Sequence, residues 1–301
     1  MNRIFEETAK GRIIKPIWLT ILVMIGLYLA GLLAGGILLG LPTGLYLAIS
    51  QGSSGSFAMK GDLSFLLSLY ALFGTYVVVF FWTRYVEKRP FTSVGFFKGK
   101  VIKEILQGWL IGVGLFTGLI ALLFLFGMAD VTKVSLSVNS LGIFLIYLIG
   151  WQIQSGSEEL LTRGWLLPVL ATHHKKAVAV AISSLLFGVL HLLNANVSLI
   201  SILNISLFGF FMCLYVLLKG DIWGVCAIHA SWNCFQGSVF GISVSGSNAL
   251  KSSLIHLNLK GNEWLTGGDF GIEGSILTSI ALGFACLYLF SKVRKEQDLL
   301  S

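Results

Sequence analysis

Charged residues are scarce in this sequence. Asp, Glu, Lys and Arg make up 12% of the 301 residues, whereas 55% of the residues are hydrophobic. Soluble domains carry about twice that share of charge. A water-soluble chain of this size has no way to bury so much apolar surface. The composition therefore excludes an ordinary soluble domain and favours a chain whose solvent is lipid.

Common metal-binding and nucleic-acid-binding patterns are also missing. No His-Glu-x-x-His string occurs, which excludes the usual helical zinc-protease arrangement. The net charge of +7 comes with no basic stripe interleaved with aromatic residues, so we expect no nucleic-acid partner. The four cysteines lie in apolar runs without metal-type spacing and are expected to be buried free thiols: Cys213, Cys226, Cys234 and Cys286.

Long apolar runs fill most of the chain. A run of about 20 apolar residues is enough to cross a bilayer. Such runs predict an all-α, polytopic integral membrane protein of about eight transmembrane helices, at 17–41, 63–86, 101–127, 140–171, 177–194, 197–218, 222–241 and 273–291. The first run is longer than the apolar core of a signal peptide, so we expect a membrane span there and not a cleaved leader.

Lys and Arg residues alternate from one side of these runs to the other. They gather before the first run, between the second and third, and after the fourth, sixth and eighth, whereas loops 42–62, 128–139 and 242–272 carry few. Because cations mark the cytoplasmic side, we expect a multi-pass protein of the cell membrane with both termini in the cytoplasm. The polar loop 242–272 is either a partial lid over an outer opening or an ordinary exposed loop.

The first cluster of ionisable residues inside an apolar run contains Glu158, Glu159 and Arg163. Such residues are costly in lipid unless they are paired or face a cavity, so they are candidates for function. Glu159 and Arg163 are four residues apart, lie on one helix face and are able to pair. Glu158 points about 100° away from Glu159, which leaves it free for another partner. A desolvated carboxyl group there would be suited to accept a proton.

Two further runs carry His191 and the pair His229 and Asn233, which share one helix face. Counted at 1.5 Å per residue, these side chains and Glu158 lie roughly 14–22 Å from the cytoplasmic face. Similar depth on three helices predicts an active site buried between the helices. Two chemistries are open. In the first, Glu158 and His191 activate a water, and His229 and Asn233 stabilise an oxyanion. In the second, Zn²⁺ or another divalent metal is bound by Glu158, His191 and His229.

The polar clusters resemble, in order and spacing, the three motifs of the CPBP family, which contains the eukaryotic CAAX prenyl endopeptidases and many bacterial proteins. The motifs are Glu158-Glu159-x-x-x-Arg163, Phe187-x-x-x-His191 and His229-x-x-x-Asn233. The resemblance covers about 85–290 and is closest to the bacterial type. It implies an intramembrane endopeptidase that acts on a membrane-associated protein or peptide.

The resemblance also implies a role for each motif. Glu158 would activate water, His191 would help to hold it, and His229 with Asn233 would stabilise the oxyanion or contact a metal. Glu159 and Arg163, the other two residues of the first motif, would support these catalytic residues. We therefore divide the chain into N-terminal transmembrane helices (1–84), a protease-like core (85–292) and a cytoplasmic tail (293–301). Bacterial relatives are linked to bacteriocin self-immunity and peptide maturation, and the oligomeric state stays open.

Other interpretations of the polar residues compete with hydrolysis. A membrane scaffold that confers immunity without cleavage fits the same motifs. A transporter that relays protons through Glu and His is a further alternative, although no repeated halves are evident. The string Gly52-Ser53-Ser54-Gly55 matches a rhomboid serine-protease pattern, but it lies in a polar loop and not at the start of a buried helix.

Overall fold

The computed structural model describes residues 3–43 and 61–295, and most of this part of the chain is α-helical. The all-α prediction is confirmed. The predicted Gly52–Gly55 string and residues 296–301 of the predicted tail lie outside the described residues. The α-helices are α1 (Arg3–Ala9), α2 (Ile17–Gly35), α3 (Gly61–Ala71), α4 (Phe73–Phe81), α5 (Val101–Leu125), α6 (Val138–Glu159), α7 (Leu167–Ala171), α8 (Lys176–Leu190), α9 (Leu199–Lys219), α10 (Trp223–Cys234), α11 (Glu263–Thr266) and α12 (Ile276–Lys295).

Five helical segments in the described ranges are long and apolar enough to cross a membrane: Ile17–Thr43, Gly61–Val86, Val101–Leu125, Leu199–Lys219 and Ile276–Lys295. The chain is thus a polytopic membrane protein. The other three predicted spans correspond to α6 with its continuation, to α8 and to α10. Helix α8 has 15 residues and α10 has 12, fewer than the roughly 20 that a bilayer requires. The count of eight crossings stays a prediction.

The short helix α10 carries the third polar motif, and the protein itself surrounds it. Every residue of α10 from Gly224 to Cys234 is buried. A helix enclosed by other helices needs no lipid-facing apolar surface, so it tolerates histidine and asparagine. Both α6 and α10 continue as π-helical turns, Leu160–Leu166 and Phe235–Val239, which begin next to the motif residues. Such turns are frequent at functional sites.

Glycines allow α5 to approach α10 closely. A methyl group added at Gly112 would overlap the Ser231 hydroxyl and the Ile228 carbonyl, and one at Gly108 would overlap the Gly224 carbonyl. Small residues permit this approach between membrane helices, because dispersion contacts and not the hydrophobic effect hold them together. The long span α5 therefore fixes the position of the helix that carries His229 and Asn233.

A two-stranded antiparallel sheet is the one described feature that departs from the all-α prediction. Strand β1 (Ala129–Val134) pairs with β2 (Ile255–Leu259), and the register is irregular between Val131 and Lys133. Both strands lie in segments that were expected to be loops. The apolar pattern of the spans does not predict this pairing, because the sheet joins segments that are far apart in sequence.

A buried ion pair occupies the link between the second and third predicted spans. Glu87 and Arg89 lie 2.7 Å apart through Oε2 and Nε, and both side chains are almost fully enclosed. The other Glu87 oxygen accepts hydrogen bonds from the indoles of Trp82 and Trp165, and Arg89 also donates to Ser93. Arg89 is therefore not the solvated loop cation that the charge pattern indicated.

The division of the chain at residues 84 and 292 stays a prediction.

Candidate active site

One cavity of about 370 Å³ brings the three motifs together. Glu158, His191, His229 and Asn233 all line it, although they come from α6, the end of α8 and α10. The residues expected to converge from separate helices are thus within one chamber. The cavity also borders α2, α3 and α4, which contribute mainly apolar side chains.

Glu159 is the centre of a fully buried charged cluster. Its Oε1 atom accepts hydrogen bonds from Arg163 Nη1 at 3.0 Å and from His229 Nδ1 at 2.9 Å. The Glu159 and Arg163 side chains are entirely shielded from solvent. Because an ionised carboxylate only accepts hydrogen bonds, this contact requires a proton on Nδ1 of His229. Glu159 thereby sets the ring orientation of His229 and leaves Nε2 as its second polar atom.

Glu158 presents its two oxygens to different surroundings. Oε1 accepts a hydrogen bond of 2.6 Å from the Gln154 amide. Oε2 lies 3.9 Å from His229 Nε2 and receives no hydrogen bond from any described residue, although it is shielded from solvent. A buried acceptor without a donor is costly, so this atom is suited to take a proton from a small polar molecule in the cavity.

His191 caps the C-terminal end of α8, where the helix stops at Leu190. Its Nδ1 atom lies 2.8 Å from the Phe187 carbonyl oxygen. A carbonyl only accepts, so Nδ1 carries a proton, and in the neutral ring Nε2 is the acceptor. Phe187 also packs its ring edge-on to His191 and receives the Arg163 guanidinium on its face, 4.2 Å from the ring centre. The same ring lies edge-on to His229, so one aromatic ring contacts all three motifs.

Asn233 is held by hydrogen bonds that the sequence did not reveal. Its Nδ2 atom donates to Gln154 Oε1 at 3.1 Å and to Ser155 Oγ at 3.2 Å. Both N–H groups of the Asn233 amide are therefore engaged, so the expected donation to an oxyanion requires this amide to turn. The only sequence signal for Gln154 is its position one helical turn before Glu158.

Residues 244–247 form another wall of the cavity, and the lid interpretation of loop 242–272 stays a prediction. Asn194 donates to the Ser245 carbonyl at 2.9 Å, and the Ser245 backbone N–H donates to Glu273 Oε2 at 2.6 Å. Glu273 thereby anchors the segment that faces the motif residues.

The proposed metal ligands do not form a zinc site as they are arranged. The described residues contain no group of three or more His, Cys, Asp or Glu side chains that could hold a metal ion. Glu158 Oε2 and His229 Nε2 are 3.9 Å apart. Zinc bonds of about 2.0–2.2 Å to both would require an angle far wider than the tetrahedral one that zinc prefers. Metal dependence through Glu158, His191 and His229 stays a prediction.

Residues 139–235 match the family model described as Rce1-like, type II CAAX prenyl endopeptidase Rce1-like. No curated protein and no solved structure matches the chain. The matched segment runs from the first turn of α6 to the residue after α10 and contains all six predicted site residues. Over this segment the chain is similar to the type II CAAX prenyl endopeptidase family that its motifs resemble.

Proposed function

We propose that this protein is an intramembrane endopeptidase in which Glu158 activates the water that cleaves the peptide bond. The observation that carries the proposal is the state of the Glu158 carboxylate. One oxygen is fixed by Gln154, and the other is buried in the shared cavity without a donor among the described residues. A general base needs this combination of fixed position and an available lone pair.

The two acceptors Glu158 Oε2 and His191 Nε2 would hold the attacking water. Water has two protons to donate, and two acceptors leave its oxygen lone pair directed at the substrate. Glu158 takes one proton as the oxygen attacks the carbonyl carbon, and the tetrahedral intermediate forms with a negative charge on the former carbonyl oxygen. When the carbon–nitrogen bond breaks, Glu158 returns the proton to the leaving amine.

His229 is the donor that we assign to the oxyanion. Glu159 holds its Nδ1–H, so a second proton on Nε2 would give a donor directed away from Glu159. Asn233 joins His229 if its amide leaves Gln154 and Ser155 during the reaction.

We propose that the substrate is a membrane-associated protein or peptide. The cavity has an apolar wall that contains Phe65, Leu69 and Leu72, which lie on the N-terminal helices. A cavity lined by both apolar and polar side chains suits a peptide whose side chains are apolar near the cleaved bond. Location in the cell membrane, with both termini in the cytoplasm, is part of the same proposal.

Comparative membrane proteomics of wild type and Glu158→Gln tests this function. The amide has the shape of the carboxylate but does not act as a base, so uncut substrates should accumulate while the protein is expressed and folds normally. The exposed residue Glu263 on α11 offers a matched control, and Glu263→Gln should leave the peptide pattern unchanged. Normal processing in Glu158→Gln would overturn the proposal and favour a scaffold that acts without cleavage.

A further inference from the structure

Gln154 joins two motif residues that lie on different helices. It is half-buried on α6, lines the cavity and is four residues before Glu158, so the two side chains share a helix face. Its Nε2 atom donates to Glu158 Oε1 at 2.6 Å, and its Oε1 atom accepts from Asn233 Nδ2 at 3.1 Å. Ser155 Oγ also donates to the same Gln154 oxygen at 2.8 Å. Both halves of the amide are therefore in use.

The chemistry of the partners fixes the orientation of this amide. A carboxylate only accepts hydrogen bonds, so the Gln154 nitrogen must face Glu158. The Gln154 oxygen must then face α10, where it requires a donor, and it orients the Asn233 nitrogen toward itself. No other uncharged side chain of this length supplies a donor at one end and an acceptor at the other. A glutamate in this position would place a second acceptor against Glu158.

We propose that Gln154 is a positioning residue for the reaction, an inference that rests on the proposed function of Glu158. By occupying Oε1, it leaves Oε2 as the oxygen that faces His229 and the water. Without this contact the carboxylate is free to rotate about its last side-chain bond, so neither oxygen has a fixed position in the cavity. A misplacement of about 1 Å in a reacting group is enough to slow catalysis about 100-fold.

The test compares Gln154→Met with Gln152→Met in the full-length protein. The assay is cleavage of a membrane protein that accumulates uncut in the Glu158→Gln strain. Methionine has a similar length and makes neither hydrogen bond. Gln152 lies on the same helix, outside the cavity residues, and its amide contacts the Cys226 carbonyl at the long distance of 3.5 Å. We expect Gln154→Met to lower kcat about 100-fold with KM changed less than about twofold. Gln152→Met should keep both constants near wild type.

A second variant keeps the test decisive if methionine disturbs folding. Gln154→Glu has nearly the shape of glutamine and retains the acceptor for Asn233, but as a carboxylate it has no donor for Glu158. It should also lower kcat. Wild-type kcat in either folded variant, or a loss that appears only in KM, would overturn the inference. If Glu158→Gln is inactive while Gln154→Met is fully active, this inference fails and the proposed function stands. If Glu158→Gln is active, the proposed function fails first.

Discussion

Glu159 Oε1 and His229 Nδ1 lie 2.9 Å apart inside the protein, and this contact joins the first motif to the third. The predicted pairing of Glu159 with Arg163 on the same oxygen is present as well. Glu159→Gln should reduce the cleavage rate about 100-fold or more, because an amide also donates and would allow the other tautomer of His229. The loss should appear in kcat.

Stability should change in the same variant. Removal of the charge leaves the Arg163 guanidinium buried without its counter-ion, which costs about 3–5 kcal/mol in enclosed ion pairs. Thermal unfolding of the detergent-solubilised protein measures this effect, and Glu263→Gln is the control for a surface glutamate. Unchanged kcat and unchanged unfolding in Glu159→Gln would show that the contact orients nothing.

The convergence of the motif residues could be predicted from the sequence, since ionisable groups in apolar runs are expensive and must meet partners. Equal depth on three helices then indicated one cavity. Gln154 and Ser155 could not be identified in this way. Uncharged polar residues carry a smaller penalty in a membrane helix, so their presence does not indicate a site.

The two-stranded sheet and the number of spans could not be predicted from the sequence for a different reason. Alternation in Ile255–Leu259 is short, and pairing with Ala129–Val134 depends on how the helices between them fold. An apolar run predicts a helix, but it does not show whether lipid or other helices cover that helix. Burial of α10 by its neighbours therefore separates it from a lipid-facing span only once the structure is known.

The enclosed pair of Glu87 and Arg89 should contribute to stability and not to catalysis. Arg89→Leu should lower the free energy of unfolding by about 3–5 kcal/mol, because the Glu87 carboxylate then stays buried without its cation. The double variant Glu87→Gln and Arg89→Leu should recover part of the loss, since it removes both charges. Denaturation midpoints of the three proteins measure this. An equally unstable double variant would contradict the explanation by charge.

Asp221 lies outside the spans, and its carboxyl group should make the stability of the protein depend on pH. Burial, with a smaller contribution from nearby Glu104, raises the pKa of Asp221 from 3.8 to about 6, against the lowering effects of backbone hydrogen bonds and of Lys219. A raised pKa in the folded state means that the folded protein binds this proton more tightly. Its stabilising effect is complete below about pH 4 and is lost as the pH rises through about 6. Asp221→Asn should remove this loss and be more stable than wild type at pH 7.

Unfolding temperatures of wild type and Asp221→Asn across about pH 4 to 8 test this prediction. The substitution should keep the local structure, because Asp221 Oδ1 accepts from the Trp223 N–H at the start of α10 and the side-chain oxygen of an asparagine accepts in the same way. Asp130→Asn, at an exposed position on β1, is the control. Parallel curves for wild type and Asp221→Asn would contradict the prediction.

Leu72 lies on the apolar wall of the cavity, at the junction of α3 and α4 and outside the family-matched segment. Leu72→Trp should fill space that the substrate occupies and raise KM about tenfold or more, because a poorly fitting apolar pocket discriminates by about that factor. The next residue, Phe73, is 51% exposed, so Phe73→Trp adds similar bulk away from the cavity and should leave KM unchanged. Equal effects of the two substitutions would show that the wall does not contact substrate. An effect of Leu72→Trp alone would mean that the N-terminal helices determine which peptides reach Glu158.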